Sequence, residues 1–462
     1  MDIVKLIIES WNNTGGSIYT TNDIFDWIKK LNENTIINIR ECSINDSSFW
    51  FYDDYNGEIL NRKRSFFSIK GMRRFEDNEF TGEQPIIVQP EIGYLGIICK
   101  EINGVLNFLM QAKIEPGNIN CVQISPTIQA TKSNFTRAHG GNLPAYFELF
   151  EKSYQHYVIY DQIQSEQAGR FYKKRNRNMI MVVNEEFKIY PNFRWMTLGQ
   201  IKELMKVNNL VNMDTRTVLS GLPLSICMFD ISLKKDIEYL FQDKALYKSI
   251  FDYDIQQNLP QISCKVNDYK MFKEVKVVPV PLNQLVDWEI DEFGITCKKH
   301  ANFMVRYYDI EISGREVQKW TQPLFKAIGV AVFGLITRIH NSKREFLVRL
   351  KPEIGVFDKV EIGPSIQWEP SHYLYDDDIV GKVFREKWEL KQGIMNDVIL
   401  SEEGGRFYHE QNRNVILEIE ETDLLYIPDE YIWTSYSTLN YIIQTSNCLN
   451  IQLRNLISLV NI

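Results

Sequence analysis

No apolar run in this 462-residue chain approaches the roughly 18 residues of a membrane span. Neither of the Gly-rich phosphate loops, GxGxxG or GxxxxGK[ST], is present, so dinucleotide or ATP binding by those routes is set aside. The six histidines show no HxH or HxxxH spacing, which argues against a protein-built transition-metal site. The seven cysteines are odd in number, scattered and without a CxxC pair, the usage of free thiols in a reducing compartment. A net charge of −8 removes the phosphate attraction on which nucleic-acid binding depends. Met1-Asp2-Ile3-Val4-Lys5 lacks the charged and long apolar regions of a signal peptide, so a cytoplasmic protein is expected.

What the chain does contain is itself, twice. Phe108-Leu109-Met110-Gln111-Ala112-Lys113 returns as Phe346-Leu347-Val348-Arg349-Leu350-Lys351, and 351 − 113 = 238 residues. Ser125-Pro126-Thr127-Ile128-Gln129 returns as Gly363-Pro364-Ser365-Ile366-Gln367, and Gln84, Gly96, Trp195 and Arg216 return as Gln322, Gly334, Trp433 and Arg454. Ser165-Glu166-Gln167-Ala168-Gly169-Arg170-Phe171-Tyr172 returns as Ser401-Glu402-Glu403-Gly404-Gly405-Arg406-Phe407-Tyr408, 236 residues on. Solenoid units run to about 20–50 residues, so each copy is a whole domain. Residues 1–222 and 223–462 are the expected units. Each reads as α+β, a mixed sheet with flanking helices.

Several elements are legible locally. Asn103-Gly104 between two apolar runs predicts a type I′ hairpin, with Asn341-Ser342 at the matching turn. Thr21 or Asn22 is a plausible cap for a helix through Ile24, Trp27 and Ile28, and Thr197 with Gln200 reads as a capping box. Pro260 and Val278-Pro279-Val280-Pro281 interrupt the helical pattern after Gly221, and the latter run reads as the linker. Lys173-Lys174-Arg175 reads as a solvated face.

The densest polar stretch runs from Gln111 to Gly141. Its amides both donate and accept, as sugar hydroxyls require, and Lys113 and Arg137 could hold phosphate or polarise a carbonyl. His139 could serve in acid–base chemistry. The plainer reading is a long solvated connection. The second copy loses the run after Gln367, so it cannot carry the same site intact. In the shared Glu-x-x-Gly-Arg-Phe-Tyr segment, Arg170 and Arg406 could grip a pyrophosphate and Tyr172 and Tyr408 could carry protons, or the segment could build the same corner in both copies.

The run Gln111-Ala112-Lys113-Ile114-Glu115-Pro116-Gly117-Asn118-Ile119-Asn120, followed by Gln123-Ile124-Ser125-Pro126-Thr127-Ile128-Gln129-Ala130-Thr131-Lys132-Ser133-Asn134-Phe135-Thr136-Arg137, closely resembles the NDP-hexose 2,3-dehydratase family. The paired Glu-Gln-Ala-Gly-Arg-Phe-Tyr and Glu-Glu-Gly-Gly-Arg-Phe-Tyr segments and the tandem arrangement are similar to it too. The resemblance implies two Nudix-like α+β repeats, a homodimer, and removal of water across C2 and C3 of a nucleotide-linked 4-keto-6-deoxyglucose, usually the dTDP form. It implies no metal and no redox cofactor, and functional coupling to an NADPH-dependent 3-ketoreductase. The Nudix carboxylate box is missing, which disfavours pyrophosphate hydrolysis. The competing reading is a non-catalytic nucleotide-sugar binder on duplicated modules.

On that basis Lys113, Glu115 and Tyr172 are expected to share acid–base and enolate-stabilising work. Gln111, Asn118, Gln129, Thr131, Ser133, Asn134, Thr136, Arg137, Arg170, Arg177, Arg406 and Tyr408 are expected to bind substrate.

Overall fold

Asn103 and Gly104 take φ of 54° and 76°, the left-handed pair that a tight hairpin needs, and join strands Ile92–Ile102 and Val105–Ile114. Asn341 and Ser342, at φ 49° and 64°, do the same for Ala331–His340 and Lys343–Lys351. Each hairpin is the centre of a seven-stranded mixed sheet. In the first copy Arg175–Val182 adds parallel to Ile92–Ile102, and Tyr157–Ser165 adds antiparallel beyond it. Phe193–Thr197 and Val122–Ser125 both pair with Val105–Ile114, and Ile128–Ala130 pairs with Ile92–Ile102. The second copy repeats this order. This computed structural model describes all residues except 1–2, 65, 137–142, 226–230, 252–254, 300–301, 314–316 and 371–377, together with some side chains among 133, 231–233 and 255–257.

The helices have the predicted grammar, with one shift. Thr20 is the N-cap of Thr21–Glu33, accepting from Asp23 N–H while Asp23 accepts from the Thr20 N–H. Thr197 and Gln200 form the expected capping box, and Ser435 caps the matching helix.

Two smaller sheets tie the copies together. Strand Ile37–Cys42 of the first copy pairs antiparallel with Phe303–Ile312 of the second. Strand Val275–Val280 of the second pairs with Ser68–Glu76 of the first. These two strands are twins, since 275 − 37 = 238. Each copy thus lends its leading strand to the other. The Pro-rich run expected as a linker is this exchanged strand. Pro279 lacks a donor, and a sheet edge tolerates that. Helix Ile255–Phe272 also runs through Pro260, where a break was expected.

The exchange is fastened at two reciprocal joints. Gly117 N–H donates to Gly404 O at 2.7 Å and its carbonyl accepts from His409 N–H at 2.9 Å. Gly355 N–H donates to Ala168 O at 2.9 Å and its carbonyl accepts from Lys173 N–H at 2.7 Å. A Cβ on Gly117 would lie 1.5 Å from Phe407 O, and one on Gly355 1.9 Å from Phe171 O, so only glycine fits. Deeper in, Arg216 donates to Ser401 O at 2.6 Å and its twin Arg454 donates to Ser165 O. Both arginines are almost completely buried. The largest apolar core draws on both copies, from Ile3 to Val460.

Candidate active site

The exchange leaves a cleft of about 1280 Å³ whose walls come from both copies. The first copy contributes its large sheet through Gln111, Lys113, Glu115 and Gln129, and the polar stretch through Thr131 and Asn134. It adds Glu166, Lys174, Asn176 and Asp214, and the aromatic wall Phe49, Trp50 and Phe66. The second copy contributes Glu403, Gly405 and Arg406, and the strand residues Lys319, Trp320, Thr321 and Gln322.

Strand alternation sets the central pair. Lys113 and Glu115, two residues apart, point to one face at the end of Val105–Ile114. Lys113 Nζ lies 3.0 Å from Glu115 Oε1. Gln129 Nε2 donates to both Glu115 oxygens at 3.3 and 3.4 Å, and Gln129 Oε1 accepts from Asn212 Nδ2 at 3.1 Å. Asn212 also donates to Ser125 Oγ at 2.8 Å. Gln129 is therefore fixed from behind, and it fixes the carboxylate.

Around this pair the titratable groups crowd. Burial pushes the Glu166 and Asp214 carboxyls above the usual range. For Asp214 the neighbouring Glu166, Glu403 and Glu115 add to the push. Burial, reinforced by Glu115, lifts Glu403 to about 8, with Arg406 and Lys113 opposing. Burial draws Lys174 down to about 8, against the pull of Glu91 and Glu166. Lys174 Nζ donates to Glu91 O at 2.6 Å, and Glu166 accepts from Asn176 Nδ2 at 2.5 Å. Arg406 donates to Gln89 Oε1 at 3.2 Å and lies 4.5 Å over both Phe66 and Phe67. Groups held off their ordinary pKa and facing one cleft make that cleft the candidate site for proton transfer.

Of the expected site residues, Lys113, Glu115, Gln111, Gln129, Thr131, Asn134 and Arg406 are gathered at the cleft. Thr131 and Asn134 cap each other around the short helix Lys132–Phe135. Six others are not among the lining residues. Tyr172 sits at the joint, its N–H donating to Ile87 O and its ring beneath Lys173. Asn118 is consumed by Cys121 O at 2.9 Å and packs against Gly404. Thr136 is exposed and bonds back to Lys132 O. Arg177 pairs with Asp161, and Tyr408 stacks on Tyr308 and His409. Arg170 faces the second copy, paired to Glu369. Arg137 and His139 lie outside the described residues, as does the Ser133 side chain.

Glu166, Lys174, Asp214 and Glu403 were not among the expected site residues. Lys174, read from sequence as part of a solvated run, is 6% exposed. The strand that begins at Arg175 turns it inward while Lys173 stays out.

The NDP-hexose 2,3-dehydratase family model matches residues 21–222 and 261–460. A relative from Amycolatopsis orientalis, 31% identical over the whole chain and 94% of its own length, is named dTDP-4-dehydro-6-deoxy-alpha-D-glucopyranose 2,3-dehydratase. Relatives of the same name from Saccharopolyspora spinosa and Streptomyces violaceoruber are each 33% identical, over 98% and 91% of this chain and 94% and 93% of their own. With two matched repeats, full-length relatives and one cleft shared between the repeats, the chain belongs to the NDP-hexose 2,3-dehydratase family.

Proposed function

We propose that the cleft removes water across C2 and C3 of dTDP-4-keto-6-deoxyglucose, giving the 3,4-diketo-2,6-dideoxy sugar nucleotide. The observation that carries this reading is the Lys113–Glu115 pair, fixed by Gln129 beside a carboxyl that keeps its proton near neutrality. The C4 ketone acidifies the C3 hydrogen. Glu115 takes that hydrogen, and the Lys113 ammonium bonds the negative charge arriving on the C4 oxygen. Collapse of the enolate expels the C2 hydroxyl, and the resulting enol rearranges to the diketone. Tyr172, expected to share this work, is left out because its ring lies at the joint between the copies and not on the cleft wall.

Arg406, Lys174 and Lys319 supply positive charge for the diphosphate, and Trp320, Trp50 and Phe49 offer flat apolar faces to the base. Gln111, Thr131 and Asn134 suit sugar hydroxyls. The same family resemblance supports Nudix-like repeats bounded near residues 222 and 223, a homodimer, a cytoplasmic setting, and a following NADPH-dependent 3-ketoreduction. Incubation with dTDP-4-keto-6-deoxyglucose, read by mass spectrometry, should show loss of one water, with the reductase and NADPH present to trap the diketone. Thermal stabilisation by the sugar nucleotide without any water loss would favour the non-catalytic binder instead.

A further inference from the structure

We propose that Glu403, carried by the second copy, is the acid that protonates the departing C2 hydroxyl in the first-copy cleft. The proposal rests on the dehydratase reading above and adds a residue to it.

The duplication supplies the argument. The turn that carries Glu403 is built the same way in both copies. Glu403 O accepts from Arg406 and Phe407 N–H at 3.3 and 3.1 Å, and Gln167 O accepts from Arg170 and Phe171 N–H at 3.0 and 2.9 Å. The turn therefore does not need a carboxyl, since glutamine makes it equally well. Glu166 and Glu402 are likewise shared, each accepting from its own asparagine at 2.5 Å, which marks them as parts of the scaffold. Glu403 and Asp214 differ: their twins at the other copy's corner are the amides Gln167 and Gln452. Asp214 is 2% exposed, whereas Glu403 is half-buried on the cleft wall. Both line the cleft, and of the two Glu403 presents the more exposed side chain to a bound sugar.

Its surroundings suit an acid. Among the described residues its carboxyl takes one hydrogen bond, from Gly405 N–H at 2.9 Å to Oε1. A point on Gly405 where a Cβ would stand is 2.2 Å from Glu403 Oε1 and 3.4 Å from Glu115 Oε1, so acid and base flank one small volume. The charged groups facing Glu403 are Glu115, Glu166 and Asp214 against Lys113, Arg406 and Lys174. Burial and the negative neighbours hold its proton in place near neutral pH.

The step balances without a co-reactant. Glu115 gains the C3 hydrogen as a proton, and the C3–H electrons move through the C4 enolate into a new C2=C3 bond. The C2–O bond breaks, and its oxygen leaves as water with the Glu403 proton. The C3 enol then gives up its hydroxyl proton as C2 gains one, and solvent resets both carboxyls.

The test is Glu403→Gln, which places the twin's own residue in the turn. Turnover should fall about 10²–10⁴-fold with KM changed only a few-fold, and the alkaline decline of kcat should vanish. In D2O the variant should still place deuterium at C3 of recovered substrate, because proton abstraction survives while water loss stalls. Wild-type turnover in the variant would overturn the proposal. So would loss of C3 exchange together with elimination, which would place Glu403 before the enolate. If the wild-type protein neither exchanges C3 nor releases water, the dehydratase reading itself fails, whatever the variant does.

Discussion

At the cleft, Arg406 rests on two phenylalanines and bonds the neutral Gln89. At the equivalent position of the other copy, Arg170 lies 4.2 Å over Phe303, 3.2 Å from Glu369 and 4.0 Å from Glu410. Glu369 stands where the first copy has Thr131, and Glu410 where it has Lys174. The first places a carboxylate 3.2 Å from a buried guanidinium, and the second replaces a cation with a carboxyl that burial raises to about 8. Glu353, the twin of Glu115, is still held by the twin of Gln129, with Gln367 Nε2 donating at 3.0 Å. The frame is thus the same and the charge is not. A duplicated fold can keep its joints in both copies while, among the described residues, only the cleft arginine is without a carboxylate at ion-pair distance, because joints depend on backbone geometry and binding depends on side-chain charge.

The sharpest way to break this comparison is to make the same change in both copies. Glu115→Gln or Lys113→Met should lower dehydration about 10³-fold or more, because each removes a group used on the reacting carbons. Glu353→Gln or Lys351→Met should leave kcat within a few-fold. Steady-state rates on the keto-sugar, with water loss as the readout, check this. Equal losses from both pairs would mean that chemistry is divided between the copies.

The joints should respond in the opposite, even-handed way. Gly117→Ala and Gly355→Ala each force a Cβ into a carbonyl oxygen of the other copy. Both should cost more than about 2 kcal/mol, the scale of overpacking and backbone strain. Urea titration of the two variants, compared with wild type, tests the symmetry.

Much of this symmetry was legible in the chain. The 238-residue offset identifies the twins, Asn103-Gly104 writes its own turn, and the Lys113–Glu115 alternation survives in the fold. The exchanged strands were hidden because Val278-Pro279-Val280-Pro281 carries the composition of a linker, although its offset from Ile37–Cys42 was there to be measured. Glu403 and Asp214 were missed for a different reason. They stand 288 and 99 residues from Glu115, since 403 − 115 = 288 and 214 − 115 = 99, and only the cross-copy joint brings all three together. The usable signal was the pairing of acid with amide, Glu403 against Gln167 and Asp214 against Gln452. Lys174 was lost to a run of like charges, where strand alternation rather than composition decides which residue turns in.

A smaller effect should separate the copies by pH. Burial raises Glu402 to about 7 and Glu410 to about 8. A carboxyl raised in the folded state contributes stability that is complete below its unfolded pKa and is lost as pH climbs through the raised value. The buried Lys202, drawn down to about 7 by desolvation, works oppositely and loses stability as pH falls toward that value. Glu410→Gln should therefore melt close to wild type below about pH 4.5, with the gap in its favour widening as pH climbs toward 8 and levelling off above that, read as the difference between two melting curves at each pH. A constant gap would show that Glu410 does not titrate in this window.

The smallest effect falls on a residue that the sequence placed at the ligand. Arg177 holds Asp161 through two bonds of 2.7 and 2.6 Å, and its twin Arg413 holds Asp397 at 2.6 and 2.8 Å. Both pairs sit on neighbouring strands of the same design, and both are partly open to solvent. An ion pair in that setting contributes less than about 1 kcal/mol, because water already solvates the separated charges and two long side chains must be ordered. Arg177→Ala and Arg413→Ala should each lower the melting temperature slightly and alike, with dehydration unchanged. A selective rise in KM for Arg177→Ala would return this arginine to the binding site and show that the sugar nucleotide reaches beyond the cleft wall seen here.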